Sequence, residues 1–73
     1  MSQFAKVLKV LDLFSEDRTT LAAEEIADLL NVSRPTAFRY VKQLCETGLL
    51  AKLAGRYALG AKIIELDYRI RRS

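Results

Sequence analysis

Glu25-Ile26-Ala27-Asp28-Leu29-Leu30-Asn31-Val32-Ser33-Arg34-Pro35-Thr36-Ala37-Phe38-Arg39-Tyr40 is the stretch whose reading decides the fold of this chain. Ala27 is small enough to let two helices cross closely. Asn31, four positions on, belongs to the residue types that tolerate the left-handed backbone conformation in which helices end. Val32 is a hydrophobe free to turn inward and anchor the turn. Ser33 is a good N-cap, and Pro35 falls in the first turn of the following helix, where a missing N–H costs nothing. Ala37 and Tyr40 return to the interior at helical spacing, and Ile26 and Leu30 complete the apolar set. Each of these residues is common alone. Together they specify two helices joined by a sharp turn, the helix-turn-helix.

Working outward, the helix before the turn begins near Ala23. Glu24 and Glu25 in its first turn suit the positive end of the helix dipole, and Ile26, Ala27, Leu29 and Leu30 form its buried side. Ala22 stands where a Ser or Thr cap is common. Thr19-Thr20-Leu21 is short and β-branched, enough for a minimal strand. Further upstream, Phe4, Val7, Leu8, Leu11 and Phe14 make one apolar helical stripe with Lys6, Lys9 and Asp12 outside it; Ser2 is its expected cap, and it should stop near Ser15. Downstream, the helix from Ser33 buries Ala37, Tyr40, Val41 and Leu44 and ends at Gly48. Leu49–Leu53 and Arg56–Leu59 read as strands joined by Ala54-Gly55, a two-residue hairpin connection. After Gly60 a last helix runs from Ala61 to about Arg71. Its Ile63, Ile64, Leu66, Tyr68 and Ile70 lie on more than one side, which implies contact with the domain on one face and with another chain or domain on the other.

The expected order is helix, short strand, helix, helix, hairpin, helix. That is a mainly α fold with a small β-hairpin, a winged helix-turn-helix, filling residues 1–73 as a single domain, with 61–73 its C-terminal helix.

Composition supports one folded domain: 73 residues, 51% hydrophobic and 29% charged, an ordinary globular balance. No apolar run approaches the roughly 18 residues of a membrane span, and Met1-Ser2-Gln3-Phe4 does not open a signal peptide. With one cysteine and no histidine, internal disulfides, zinc clusters and Ser-His or Cys-His nucleophilic triads are excluded. Cys45 reads as a small buried hydrophobe. No Gly-rich phosphate loop or paired-carboxylate cleft appears, so neither an enzyme nor a cofactor is expected. The strands lack the aromatic pattern of sheet-based RNA modules. Charge is segregated. Residues 1–32 carry three basic and six acidic side chains; residues 33–62 carry six basic and only Glu46. A basic middle on an acidic scaffold suits a polyanionic partner.

The basic residues cluster where a helix-turn-helix meets DNA. With Ala37, Tyr40, Val41 and Leu44 inward, Pro35, Arg39 and Lys42 point outward, flanked by Thr36, Phe38 and Gln43, with Arg34 at the N-terminal edge. A recognition helix enters the major groove with its first turns nearest the bases. Arg39 suits guanine first, then Thr36 and Arg34 are the candidates for base contact. Ser33 and the helix N-terminus suit a phosphate, as do Lys42 and Gln43 a phosphate or sugar. Phe38 fits packing at the core edge, or a thymine methyl. Lys52 and Arg56 bracket the hairpin tip and suit the neighbouring backbone or minor groove. The competing reading is a winged helix used for protein contact in a multi-subunit assembly, which would tend to lose Arg34, Arg39, Lys42 and the wing cations.

The chain resembles the N-terminal DNA-binding domain of IclR-family regulators. The resemblance is carried by Ala5-Lys6-Val7-Leu8-Lys9-Val10-Leu11-Asp12-Leu13-Phe14, Glu25-Ile26-Ala27-Asp28-Leu29-Leu30, Ser33-Arg34-Pro35-Thr36-Ala37-Phe38-Arg39, Gly48-Leu49-Leu50 and Arg56-Tyr57-Ala58-Leu59-Gly60-Ala61-Lys62, followed by Ile63-Ile64-Glu65-Leu66. It implies a prokaryotic, cytoplasmic and nucleoid-associated transcription factor acting as a dimer or tetramer on palindromic double-stranded operators. It implies Ser33, Arg34, Thr36 and Arg39 at the DNA and a homodimer through the first and last helices. The family usually continues into a larger effector-binding domain; this sequence ends at Ser73, so no small-molecule site is expected within it. Its wing tip, Ala54-Gly55, is shorter than usual for the family.

Overall fold

The computed structural model describes residues 3–72 of the chain, so the expected Ser2 cap lies outside the described residues. The elements are α1 (Gln3–Lys9), a 3-10 turn (Val10–Leu13), α2 (Ala23–Leu30), α3 (Arg34–Glu46), β1 (Leu50–Leu53), β2 (Arg56–Leu59) and α4 (Ala61–Arg72). This is the winged helix-turn-helix order.

The first helix departs from the expected stripe. Val7 and Val10 are buried, whereas Phe4 is 71% exposed and Leu8 is also exposed. The α-helix stops at Lys9 and tightens into the 3-10 turn. Leu11 and Phe14 of the expected stripe do pack partly buried against the core, as does Leu13, so the buried face runs through Val7 and Val10 and leaves Phe4 and Leu8 outside it. The helical path ends at Leu13, two residues before Ser15, and Ser15 and Arg18 close a tight turn through paired backbone hydrogen bonds of 3.0 and 3.1 Å.

The Thr19-Thr20-Leu21 strand shrinks to one residue. Leu21 exchanges backbone hydrogen bonds of 2.9 and 2.8 Å with Tyr57 on the outer edge of β2. Leu21 is among the largest fully buried side chains. Burial of that kind contributes about 2 kcal/mol, enough to fix so short a pairing.

In α2, Ala22 offers no side-chain acceptor. Only the return half of a capping box forms: the Ala22 N–H donates to Glu25 Oε1 at 2.8 Å. Ala23, Ile26 and Ala27 are buried and Leu30 is partly so, but Leu29, expected inside, is 45% exposed. With the core face centred between Ile26 and Ala27, Leu29 falls past its edge. Asn31 ends the helix at φ 57°, ψ 50°, in the left-handed region, and Val32 N–H donates to Ala27 O at 3.0 Å.

Ser33 caps α3, and Ala37, Tyr40, Val41 and Leu44 are all buried, as their spacing requires. The helix closes on a Schellman arrangement: Gly48, at φ 82°, donates to Cys45 O, and Leu49 donates to Leu44 O at 3.0 Å. Leu49, read from sequence as the start of a strand, belongs to that closure. β1 and β2 pair antiparallel from Leu50 opposite Leu59 to Leu53 opposite Arg56. Ala54 (φ 50°) and Gly55 (φ 79°) both have positive φ, the requirement of a type I′ turn.

Gly60 lies directly against the Gly48 carbonyl, where an added Cβ would collide with backbone. Its N–H donates to Leu49 O at 2.9 Å, and Lys62 N–H donates to Gly48 O at 3.0 Å. These contacts seat only the first turn of α4. No residue of that helix is buried, so the expected apolar contact with the domain reduces to the half-buried Ile63.

Candidate nucleic-acid interface

α3 is fixed by its buried side and presents the other. Arg34, Pro35, Phe38, Arg39, Lys42 and Gln43 are all exposed on it. Ser33 Oγ accepts from Thr36 N–H at 3.3 Å and donates to Thr36 Oγ1 at 2.9 Å, which ties the two hydroxyls together; Thr36 is half-buried. Pro35 has no N–H and the Thr36 N–H is capped, so phosphate capture at this helix end falls chiefly to side chains.

Among the described residues no ion pair engages Arg34, Arg39, Lys42 or Lys52. Their positive charge is left uncompensated at short range. The Arg39 guanidinium lies 6.0 Å from the Tyr40 ring centroid, the outer limit of a cation–π contact, so it stays available to a ligand. Phe38, expected to favour core-edge packing, is 49% exposed at the margin of the same face.

On the wing, the two cations part company. Lys52 is exposed on β1. Arg56 turns back onto the domain: its Nε donates to Thr20 Oγ1 at 3.0 Å, and its Nη2 donates to Thr20 O at 3.2 Å and to Glu25 Oε1 at 2.8 Å. The Ala22 N–H, and then the Arg56 charge, hold the Glu25 carboxyl below its ordinary range. Thr20 and Glu25 went unnoticed in sequence as partners of the wing because their separation from Arg56 carries no local pattern.

Lys6 and Lys9 of α1, read only as outer-side residues, line a cleft of about 270 Å³ with Leu30, Asn31, Val32 and Tyr40 beside the turn. Cys45 is half-buried against the core, and burial pushes its thiol pKa up, away from reactivity. Among the described residues there is no cluster of three or more His, Cys, Asp or Glu side chains able to hold a metal ion, and no helix is long and apolar enough to cross a membrane.

A rigid α3 with an uncompensated cationic face, preceded by α2 across an Asn31 turn and followed by a hairpin, defines a winged helix-turn-helix domain of the DNA-binding class. The IclR helix-turn-helix domain family matches residues 4–54. The chain belongs to that family, whose members supply the DNA-binding domains of transcriptional regulators.

Solved structures agree. An IclR family transcriptional regulator from Brucella abortus superposes with a TM-score of 0.85 at 32% identity, over 96% of this chain and 27% of that one. An IclR homologue from Microbacterium sp. gives 0.85 at 33% identity, over 94% of this chain and 29% of that one. The Thermotoga maritima IclR gives 0.83 at 29% identity, over 97% and 30%. The chain thus spans less than a third of each of these proteins. A comparison with curated proteins returned no match.

Proposed function

We propose that this domain binds double-stranded DNA sequence-specifically, with α3 in the major groove, as the DNA-binding part of a prokaryotic transcriptional regulator working in the cytoplasm on the nucleoid. The observation that carries this reading is the outer face of α3, where Arg34, Arg39 and Lys42 stand exposed without an acidic partner among the described residues. Arg39 is assigned to guanine O6 and N7, and Thr36 and Arg34 to neighbouring base edges. Phe38, half-exposed beside them, meets a thymine methyl. Ser33, Pro35, Lys42 and Gln43 set the helix against the sugar-phosphate backbone, and Lys52 reaches a flanking phosphate. Lys6 and Lys9 extend the cationic surface past the turn.

The same reading includes a homodimer on a palindromic site. Its support is the unburied apolar surface of the terminal helices, with Phe4 71%, Ile64 72% and Tyr68 61% exposed. The chemistry is binding, with no catalytic step.

The test is fluorescence anisotropy on duplex DNA across a salt series. A log–log slope of several ions is expected, at about 0.9 for each phosphate neutralised. Arg39→Ala should weaken binding to the preferred site by about fivefold or more, since one bidentate base contact is worth about 1–3 kcal/mol. Absence of binding at low salt by a folded protein would instead favour a protein-contact role for the same face.

A further inference from the structure

Arg56 opens β2, next to the Ala54-Gly55 turn and opposite Leu53. From there its guanidinium reaches two separate pieces of chain. Thr20 receives Nε on its hydroxyl and Nη2 on its carbonyl, and Glu25, in the first turn of α2, receives Nη2 on Oε1. Three of the five guanidinium N–H donors are thereby taken up by protein acceptors at the surface. Glu25 is itself held by the Ala22 N–H at 2.8 Å. One side chain therefore ties the turn end of the wing to the start of the helix that packs under α3.

We propose that Arg56, Glu25 and Thr20 form a positioning clamp that sets the wing beside α3, and that Lys52, not Arg56, is the wing's phosphate contact. The proposal rests on the DNA-binding reading of α3. Two arguments carry it. The first is charge. Arg56 and Glu25 form a pair at 2.8 Å, so their summed charge offers little to a polyanion, whereas Lys52 is exposed and unpaired among the described residues. The second is mechanical. A two-stranded hairpin is marginal alone. The Leu21–Tyr57 bridge holds this one at its middle, and the clamp holds it at the turn end. A planar fork serves a hydroxyl, a carbonyl and a carboxylate together; the point charge of a lysine does not.

The experiment is the salt dependence of duplex DNA binding for the wild type, Lys52→Gln, Arg56→Gln, Arg56→Lys and Thr20→Val, with circular dichroism on each. Lys52→Gln should lower the log–log slope by about one ion. Arg56→Gln, Arg56→Lys and Thr20→Val should each weaken binding several-fold and leave the slope near that of the wild type. Arg56→Lys is decisive because it keeps the charge and loses the fork. Full affinity and slope in Arg56→Lys, with the slope reduced in Arg56→Gln, would overturn the clamp and return Arg56 to the phosphate contacts. Should the wild type bind no DNA, the underlying reading fails separately. Amide hydrogen exchange of β1 and β2 in the free proteins then decides the clamp: faster exchange in Arg56→Lys and Thr20→Val supports it, and unchanged exchange rejects it.

Discussion

α3 and α4 are both helices with one long exposed face, and they are exposed for opposite reasons. α3 buries Ala37, Tyr40, Val41 and Leu44, and what remains outside is cationic and polar. α4 buries nothing, and what it leaves outside includes Ile64, Leu66 and Tyr68. Burial on one side makes α3 a rigid display, and its outer chemistry suits a hydrated, charged partner. α4 is held only by its first turn, and its outer chemistry suits removal from water. On the proposed reading the two helices divide the work: one face for a polyanion, the other for a second protein surface.

The largest way to break this division is at the joint. Gly60→Ala places a methyl against the Gly48 carbonyl, backbone against which nothing flexible can yield. A loss of about 3 kcal/mol or more is expected in denaturant unfolding, a large part of the stability of so small a domain. Next comes Arg39→Ala, which should cost about 1–3 kcal/mol in site-specific DNA binding while moving thermal stability little. Loss of stability with unchanged binding would reverse the roles given to the two sides of α3.

A smaller gain is expected at the wing. Ala54 sits at φ 50°, and asparagine tolerates that region better, so Ala54→Asn should stabilise the domain by about 0.5–1 kcal/mol in thermal unfolding. On α4, Ile64→Asp should change monomer stability by no more than about 0.5 kcal/mol, because Ile64 is 72% exposed, yet lower the association state measured by sedimentation. The smallest effect is that of pH. Glu25 is held below its ordinary carboxylate range, so its contribution to stability is complete above that range and lost as pH falls through the depressed value. Glu25→Gln should remove that part of the acid dependence, and an unchanged acid profile would show that the pair with Arg56 does not persist in solution.

What could be read in the sequence was local. Ala27, Asn31, Val32, Ser33 and Pro35 act within one or two turns of themselves, and α2, α3 and the turn between them form as those residues require. The Ala54-Gly55 connection was legible for the same reason. Val10 was passed over because the first helix carries apolar residues on several sides, and apolarity alone does not choose which side the core takes. Leu29 was placed inside because apolarity alone does not locate the edge of a buried face. The pairing of Arg56 with Glu25 was not legible because the two are 31 residues apart, brought together by the hairpin folding back onto α2. The exposed face of α3 was legible down to individual residues because the buried positions fix the rest by rotation.

Amide chemical-shift mapping of the domain against duplex DNA tests the assignment of the two faces most directly. The account predicts the largest changes across Ser33–Gln43 and around Lys52, with Ile64–Arg72 unmoved. Changes concentrated on α4 and on Phe4–Leu8, with α3 silent, would contradict it.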